Sequence, residues 1–191
     1  MNRVLIVGSL ALDTLETPFG RVDNIIGGAG LYASTAASFF SPVNLVGVVG
    51  DDYPRSALDF LHARQVDTSG VEIIPGGKSF RWAGRYEYDM NSAETLDTQL
   101  GVFADFSPTL PDRYRDTRYV FLANITPAVQ LAVLDQVRAP HFVMADSMNF
   151  WIQGARADLL QVLRRVDMML LNDAELRQLT GTPNLARAAL E

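Results

Sequence analysis

The sequence predicts an α/β protein: a parallel sheet covered by helices on both faces, with a small β lid inserted in it. Three observations carry that expectation. Compact apolar runs alternate with segments whose Leu and Val recur at three and four residues, the pattern of buried strands and amphipathic helices. Those apolar runs end at a glycine or a polar residue. From about 71 to 103 the rhythm breaks into period-two alternation among turn residues, without a helical stripe.

Taken in order, "RVLIVG" is an apolar, β-branched run closed by Gly8 and predicts the first strand. "GLYASTAASFF" carries small and apolar residues at helical spacing after a glycine cluster. "VNLVGVVG" predicts a second buried strand, and "YPRSALDFLHARQV" a helix with Pro54 near its start. "RYVFLAN", "HFVMAD" and "DMMLLN" predict three more strands, separated by the helices "TPAVQLAVLDQVRA" and "ARADLLQVLRRV". The lid is expected over approximately 14–26 and 71–104, inserted in a single domain spanning 1–191. Phe80, Trp82, Tyr86 and Tyr88 share a parity and hence one face of a lid strand, with Arg81 and Arg85 on the other. The aromatic face either packs on its own domain or serves as a dimer surface.

Composition narrows the function. Hydrophobic residues make up 48% and charged residues 20%, as in ordinary globular proteins. A net charge of -6, with no basic stretch, argues against nucleic acid, whose phosphates need clustered Lys and Arg. With no cysteine there are neither disulfides nor thiolate metal sites. No apolar stretch approaches the roughly 20 residues of a membrane span, so no membrane partner and a cytoplasmic location are expected.

Ligands of open α/β sheets bind beyond the carboxyl ends of the strands. The first strand leads to Gly8, Ser9 and Asp13, and later ones end at Asn124, Asp146 and Asn172. Each residue alone is equally a helix cap or turn former, Asp146 included. "GGAGLYAS" adds a glycine-rich helix entry, which lets backbone N–H groups approach a ligand. It lacks the lysine of a P-loop, and it lies too far from the first strand for a dinucleotide fingerprint. Asn172 and Glu175 stand one helical turn apart. Glu175 either complements the helix dipole or contributes a carboxylate to magnesium, through water.

With "GSLALD", "GGAGLYAS", "VGVVGDD" and "LLNDAELRQLTG" in this order, the chain resembles the PfkB family of ribokinase-like carbohydrate and nucleoside kinases over essentially its whole length. The resemblance implies a Rossmann-like, ribokinase-like fold and ATP-dependent phosphorylation of a sugar or nucleoside hydroxyl, with Mg2+. It implies that Asp13 bonds substrate hydroxyls, that the Gly27-Gly28 backbone packs against the substrate, and that Asn124 contacts it. Asn172 and Glu175 match the family's N-x-x-E pair, which organises magnesium and ATP phosphates. Arg81 is expected to reach a polar ligand, and the lid to support a homodimer.

Two departures stand out. Ribose-specific members have asparagines where this chain has Ala11 and Tyr32, so Tyr32 either stacks on a ring or nucleobase or is a core aromatic. The family's G-A-G-D signature, with its general base and anion hole, does not occur within these residues. No catalytic residue is therefore assigned, the base being expected beyond Glu191, and the chain alone is expected to be inactive. The alternatives are a truncated, non-catalytic binding or oligomerisation module and, further off, a dinucleotide-dependent oxidoreductase.

Overall fold

The computed structural model describes residues 3–90 and 93–190. Asn91 and Ser92 of the expected lid segment lie outside the described residues. The larger of two sheets is six-stranded and parallel: β1 (Val4–Val7), β4 (Val43–Gly50), β5 (Val66–Ile74), β8 (Tyr119–Leu122), β9 (Phe142–Asp146) and β10 (Met168–Leu170), in the order β10-β9-β8-β1-β4-β5. The second sheet has the order β3-β2-β6-β7, from β2 (Ala11–Thr17), β3 (Gly20–Gly27), β6 (Phe80–Tyr86) and β7 (Ala93–Gln99).

The apolar runs become central strands because both faces are covered. Leu5 and Val7 pack into one core cluster with Val120, Leu122, Val129, Val133 and Val162, while Ile6 packs into another with Leu45, Leu31, Ala57 and Leu61. Successive side chains of a strand point to opposite faces, so one run feeds both clusters. Helices α1 (Ala29–Ala37) and α2 (Arg55–Ala63) supply residues to the second cluster, and α4 (Pro127–Leu134) and α6 (Arg156–Leu163) to the first. Thr126 caps α4, its hydroxyl accepting from the Val129 N–H, with Pro127 opening the helix as its fixed φ favours. The short α3 (Asp112–Arg115) and α5 (Asn149–Gly154), and α7 (Asp173–Thr180) and α8 (Leu185–Ala188), complete the fold.

The lid differs from its expected bounds in two places. Val66–Ile74 is the edge strand of the parallel sheet, paired with β4, so residues 71–74 do not belong to the lid. From Glu72 to Ile74 that strand is exposed, and an edge strand wetted along one side alternates much as a lid strand does. At the other end the lid sheet starts at Ala11, where β2 pairs with both β3 and β6. The aromatic stripe is also shorter than expected: β6 keeps unbroken register with β2 from Phe80 to Arg85, and Trp82 and Tyr86 both line one cleft, but the strand ends at Tyr86. Phe80 is buried and Trp82 packs on the core, whereas Tyr88 lies beyond the strand, exposed beside Phe19 with ring centroids 5.6 Å apart.

Asp52, in the turn after β4, ties the lid to the parallel sheet. Its Oδ1 accepts from the backbone N–H and the hydroxyl of Ser79, both at 2.8 Å, and its Oδ2 pairs with Arg81 at 3.0 Å. The Ser79 hydroxyl in turn accepts from the Gly50 N–H at 3.0 Å. These bonds root β6 beside the carboxyl end of β4, which brings the lid over the strand ends.

Candidate active site

Where β1 ends, the chain passes close under α1. The buried Ser9 carries out three contacts there: its hydroxyl accepts from the Ala29 N–H at 3.1 Å, its carbonyl from the Gly30 N–H at 2.9 Å, and its own N–H donates to the Asn124 carbonyl at 3.3 Å. Gly28 has φ +100°, and a Cβ on it would stand 2.4 Å from the Ser9 carbonyl oxygen. A Cβ at Gly27 would fall 2.0 Å from Asp13 Oδ2. Glycine is thus required at both positions by the approach of other groups. The Asp13 carboxylate lies over Gly27 and accepts the Gly28 backbone N–H; burial raises its pKa to about 6, against that hydrogen bond.

Asp13 faces a cavity of about 220 Å³ lined also by Ser9, Ala11, Gly28, Tyr32, Trp82 and Asn124. Through Trp82 and Met148 it adjoins a larger cleft, about 490 Å³, between the lid (Tyr86, Thr95) and Asn149, Asn172 and Glu175. Expected site residues at both ends of the chain are thereby brought along one continuous groove.

Asn172 and Glu175 form a reciprocal capping box on α7. Asn172 Oδ1 accepts from the Glu175 N–H at 2.8 Å, and Glu175 Oε2 accepts from the Asn172 N–H at 2.9 Å. The cap and the site role coexist, because both side chains still line the cleft. Beside them Asp146 departs from expectation. It caps no helix: α5 starts from Met148 without a side-chain cap. Its Oδ1 is buried with no hydrogen-bond partner among the described residues, and burial, then the charge of Glu175, raises its pKa to about 7. Burial raises the pKa of Glu175 as well.

Two expected ligand groups are otherwise engaged. Asn124 lines the cavity, but its Oδ1 accepts from Trp151 Nε1 at 3.0 Å and its Nδ2 contacts Met148 Sδ at 3.1 Å. Arg81 is in register with Leu12, while Trp82 is in register with Asp13, so Arg81 lies on the opposite face of the lid from Asp13. It binds Asp52 and Asn24 and does not line the Asp13 cavity. Arg81 thus lies, as its parity implies, on the face opposite Trp82, where it lines a separate hollow with Thr14, Glu16, Arg21 and Gln99. Trp82 and Asp146 were less legible: the first read as one of four lid aromatics, the second as a cap.

The pfkB family carbohydrate kinase model matches residues 1–191. The chain belongs to the PfkB family. It is 28% identical over 193 residues to the cytidine kinase of Thermococcus kodakarensis, covering 99% of this chain and 68% of that one. Among solved structures, the Burkholderia thailandensis nucleoside kinase in complex with inosine matches 98% of this PfkB chain and 66% of its own, with a TM-score of 0.73 and 16% identity. A putative ribokinase II of E. coli, in complex with ATP and Mg2+, matches 100% of this chain and 68% of its own, with a TM-score of 0.74 and 14% identity. The likenesses to solved structures establish the ribokinase-like α/β fold, and the chain spans about two-thirds of the length of each of these relatives. Family kinases use ATP with Mg2+.

Proposed function

We propose that this chain forms the acceptor-binding side of a PfkB kinase that transfers the γ-phosphoryl group of ATP to a hydroxyl of a sugar or nucleoside. The observation that carries this reading is the groove itself: a half-buried carboxylate at one end and the N-x-x-E pair at the other, roofed by the lid. Asp13 above its pKa accepts hydroxyl protons of the acceptor. The lid, rooted through Asp52, and the Ser9–Gly30 contacts orient the acceptor and exclude water, which strengthens each polar contact. Glu175 and Asp146 suit a magnesium ion. Both offer carboxylate oxygens, one oxygen of Asp146 is buried without a partner among the described residues, and the charge of Glu175 raises the Asp146 pKa, an effect a bound cation would relieve. Bound with ATP, magnesium supplies neutralisation of the phosphate charge. Such reactions depend chiefly on positioning and charge stabilisation, and no G-A-G-D base and anion hole occurs among these residues. The 191-residue chain therefore binds acceptor without turning it over.

The test is calorimetric titration with a panel of sugars and nucleosides, beside an assay for ATP-dependent phosphorylation. Binding of at least one acceptor, weakened about tenfold or more by Asp13→Asn, with no turnover, is the expected result. Loss of a hydrogen bond to a charged group is worth about 1.5–3 kcal/mol. Unchanged binding in Asp13→Asn removes the anchor, and robust turnover by this chain removes the inactive half of the reading.

A further inference from the structure

The cavity at Asp13 is poor in hydrogen-bonding capacity. The Ser9 hydroxyl oxygen is occupied by the Ala29 N–H, and the Gly28 N–H by Asp13. The Asn124 amide oxygen accepts from Trp151 and one of its two N–H groups is directed at Met148, and the Tyr32 hydroxyl donates to the Ile26 carbonyl at 3.4 Å. Asp13 is the group there with substantial accepting capacity left. The remaining lining is apolar or aromatic: Ala11, Phe80, Trp82, Met148 and the ring of Tyr32. A free sugar carries hydroxyls all round its ring, and those away from Asp13 would lose water without replacement, at a cost for each buried polar group.

Trp82 supplies what such a cavity does suit. It stands opposite Asp13 in the β2–β6 register, one strand away, about 4.8 Å. Its Nε1 donates to Thr95 Oγ1 at 3.2 Å. Its six-membered ring lies along the strand over Gly84, where a Cβ would stand 2.0 Å from Cη2. The absent side chain at Gly84 and the bond from Thr95 together hold the indole in place. It borders both the Asp13 cavity and the adjoining cleft. An aromatic surface fixed before binding loses little rotamer freedom when a ring stacks on it.

We propose that Trp82 is the stacking platform for a planar base, and that this site selects nucleosides over free sugars, with the sugar hydroxyls on Asp13. The inference rests on the kinase reading above and narrows its acceptor. Stacking of a base on an aromatic side chain is read as a loss of roughly fivefold to hundredfold on removal.

Titration of the 191-residue chain with cytidine, inosine and D-ribose tests it, using wild type, Trp82→Phe, Trp82→Leu and Asp13→Asn, each checked for folding by circular dichroism. Wild type is expected to bind at least one nucleoside more than tenfold tighter than ribose. Trp82→Leu should weaken the nucleoside about tenfold and leave ribose unchanged, and Trp82→Phe should retain most of the affinity. Nucleoside binding should also quench tryptophan fluorescence in wild type and lose that quenching in Trp82→Phe, a signature that a purely structural role for the indole would not produce. Ribose bound as tightly as the nucleosides, or equal loss for both ligands in Trp82→Leu, overturns the platform. If Asp13→Asn weakens binding while Trp82→Leu does not, the platform fails and the kinase reading stands. If Asp13→Asn changes nothing, the anchor of the kinase reading falls separately, and binding of no ligand by wild type removes both.

Discussion

At Asp13 two opposing effects share one carboxylate. Burial favours its neutral form and raises the pKa from 3.8 to about 6. Between those values the folded chain holds more protons at this residue than the unfolded chain does. Its contribution to stability is therefore best at low pH and declines as pH rises through about 6. Acceptor binding runs the other way, since the ionised carboxylate is the better acceptor of hydroxyl protons. Between pH 7.5 and pH 5 acceptor affinity should fall by about tenfold, approaching a factor of ten per pH unit below the pKa. Calorimetry across that range, with Asp13→Asn as the flat control, checks it; a wild-type profile as flat as the control would contradict it. Asp13 was legible in the sequence as a carboxylate in a loop after a buried strand. That Gly27 is a glycine because the Asp13 carboxylate lies where its Cβ would be was not, because the two positions are joined only by the β2–β3 pairing.

Among the elements, α7 shows how a structural and a functional assignment can both hold. Asn172 satisfies the Glu175 N–H and Glu175 the Asn172 N–H, so each holds the other at the lip of the cleft. Asn172→Ala should cost about 1 kcal/mol of stability, the usual loss for a removed N-cap. Asn172→Ser should recover most of it, because a serine hydroxyl caps equally well. Urea denaturation of the three chains measures this, and an Asn172→Ala variant as stable as wild type would show that the cap contributes nothing. The N-x-x-E spacing was readable in one dimension. The unpartnered oxygen of Asp146 was not, since its isolation depends on how β9, β10 and α7 assemble around it.

Over the whole molecule, the lid carries the remaining consequence. Phe19 (74% exposed), Val22 and Tyr88 (76% exposed) leave an apolar surface on it. We propose that a second copy of this chain covers that surface; of the aromatic residues that suggested a lid dimer from sequence Tyr88 belongs to it, whereas Phe80 is buried and Trp82 lines the cavity. Light scattering at high concentration should then give the mass of a dimer, and Phe19→Ser combined with Tyr88→Ser should return a monomer. A monomeric wild type under those conditions would rule the dimer out. No helix among the described residues is long and apolar enough to cross a membrane.

The sequence by itself determined the central strands, the flanking helices and the family, because runs such as "VLIV" and "VNLVGVVG" are buried on both sides and carry a signal independent of their neighbours. It also determined Asp13, Asn172 and Glu175 as candidates, since strand ends and helix starts are local features. Tertiary structure decided what pairing alone can decide. It placed Val66–Ile74 in the parallel sheet rather than the lid, turned Arg81 toward Asp52 and away from the cavity, and committed Asn124 to Trp151. It also set Trp82 beside Asp13. Each of those outcomes rests on a partner 23 to 69 residues away, and strand register, through which a one-residue slip exchanges the two faces, is not written in either strand alone.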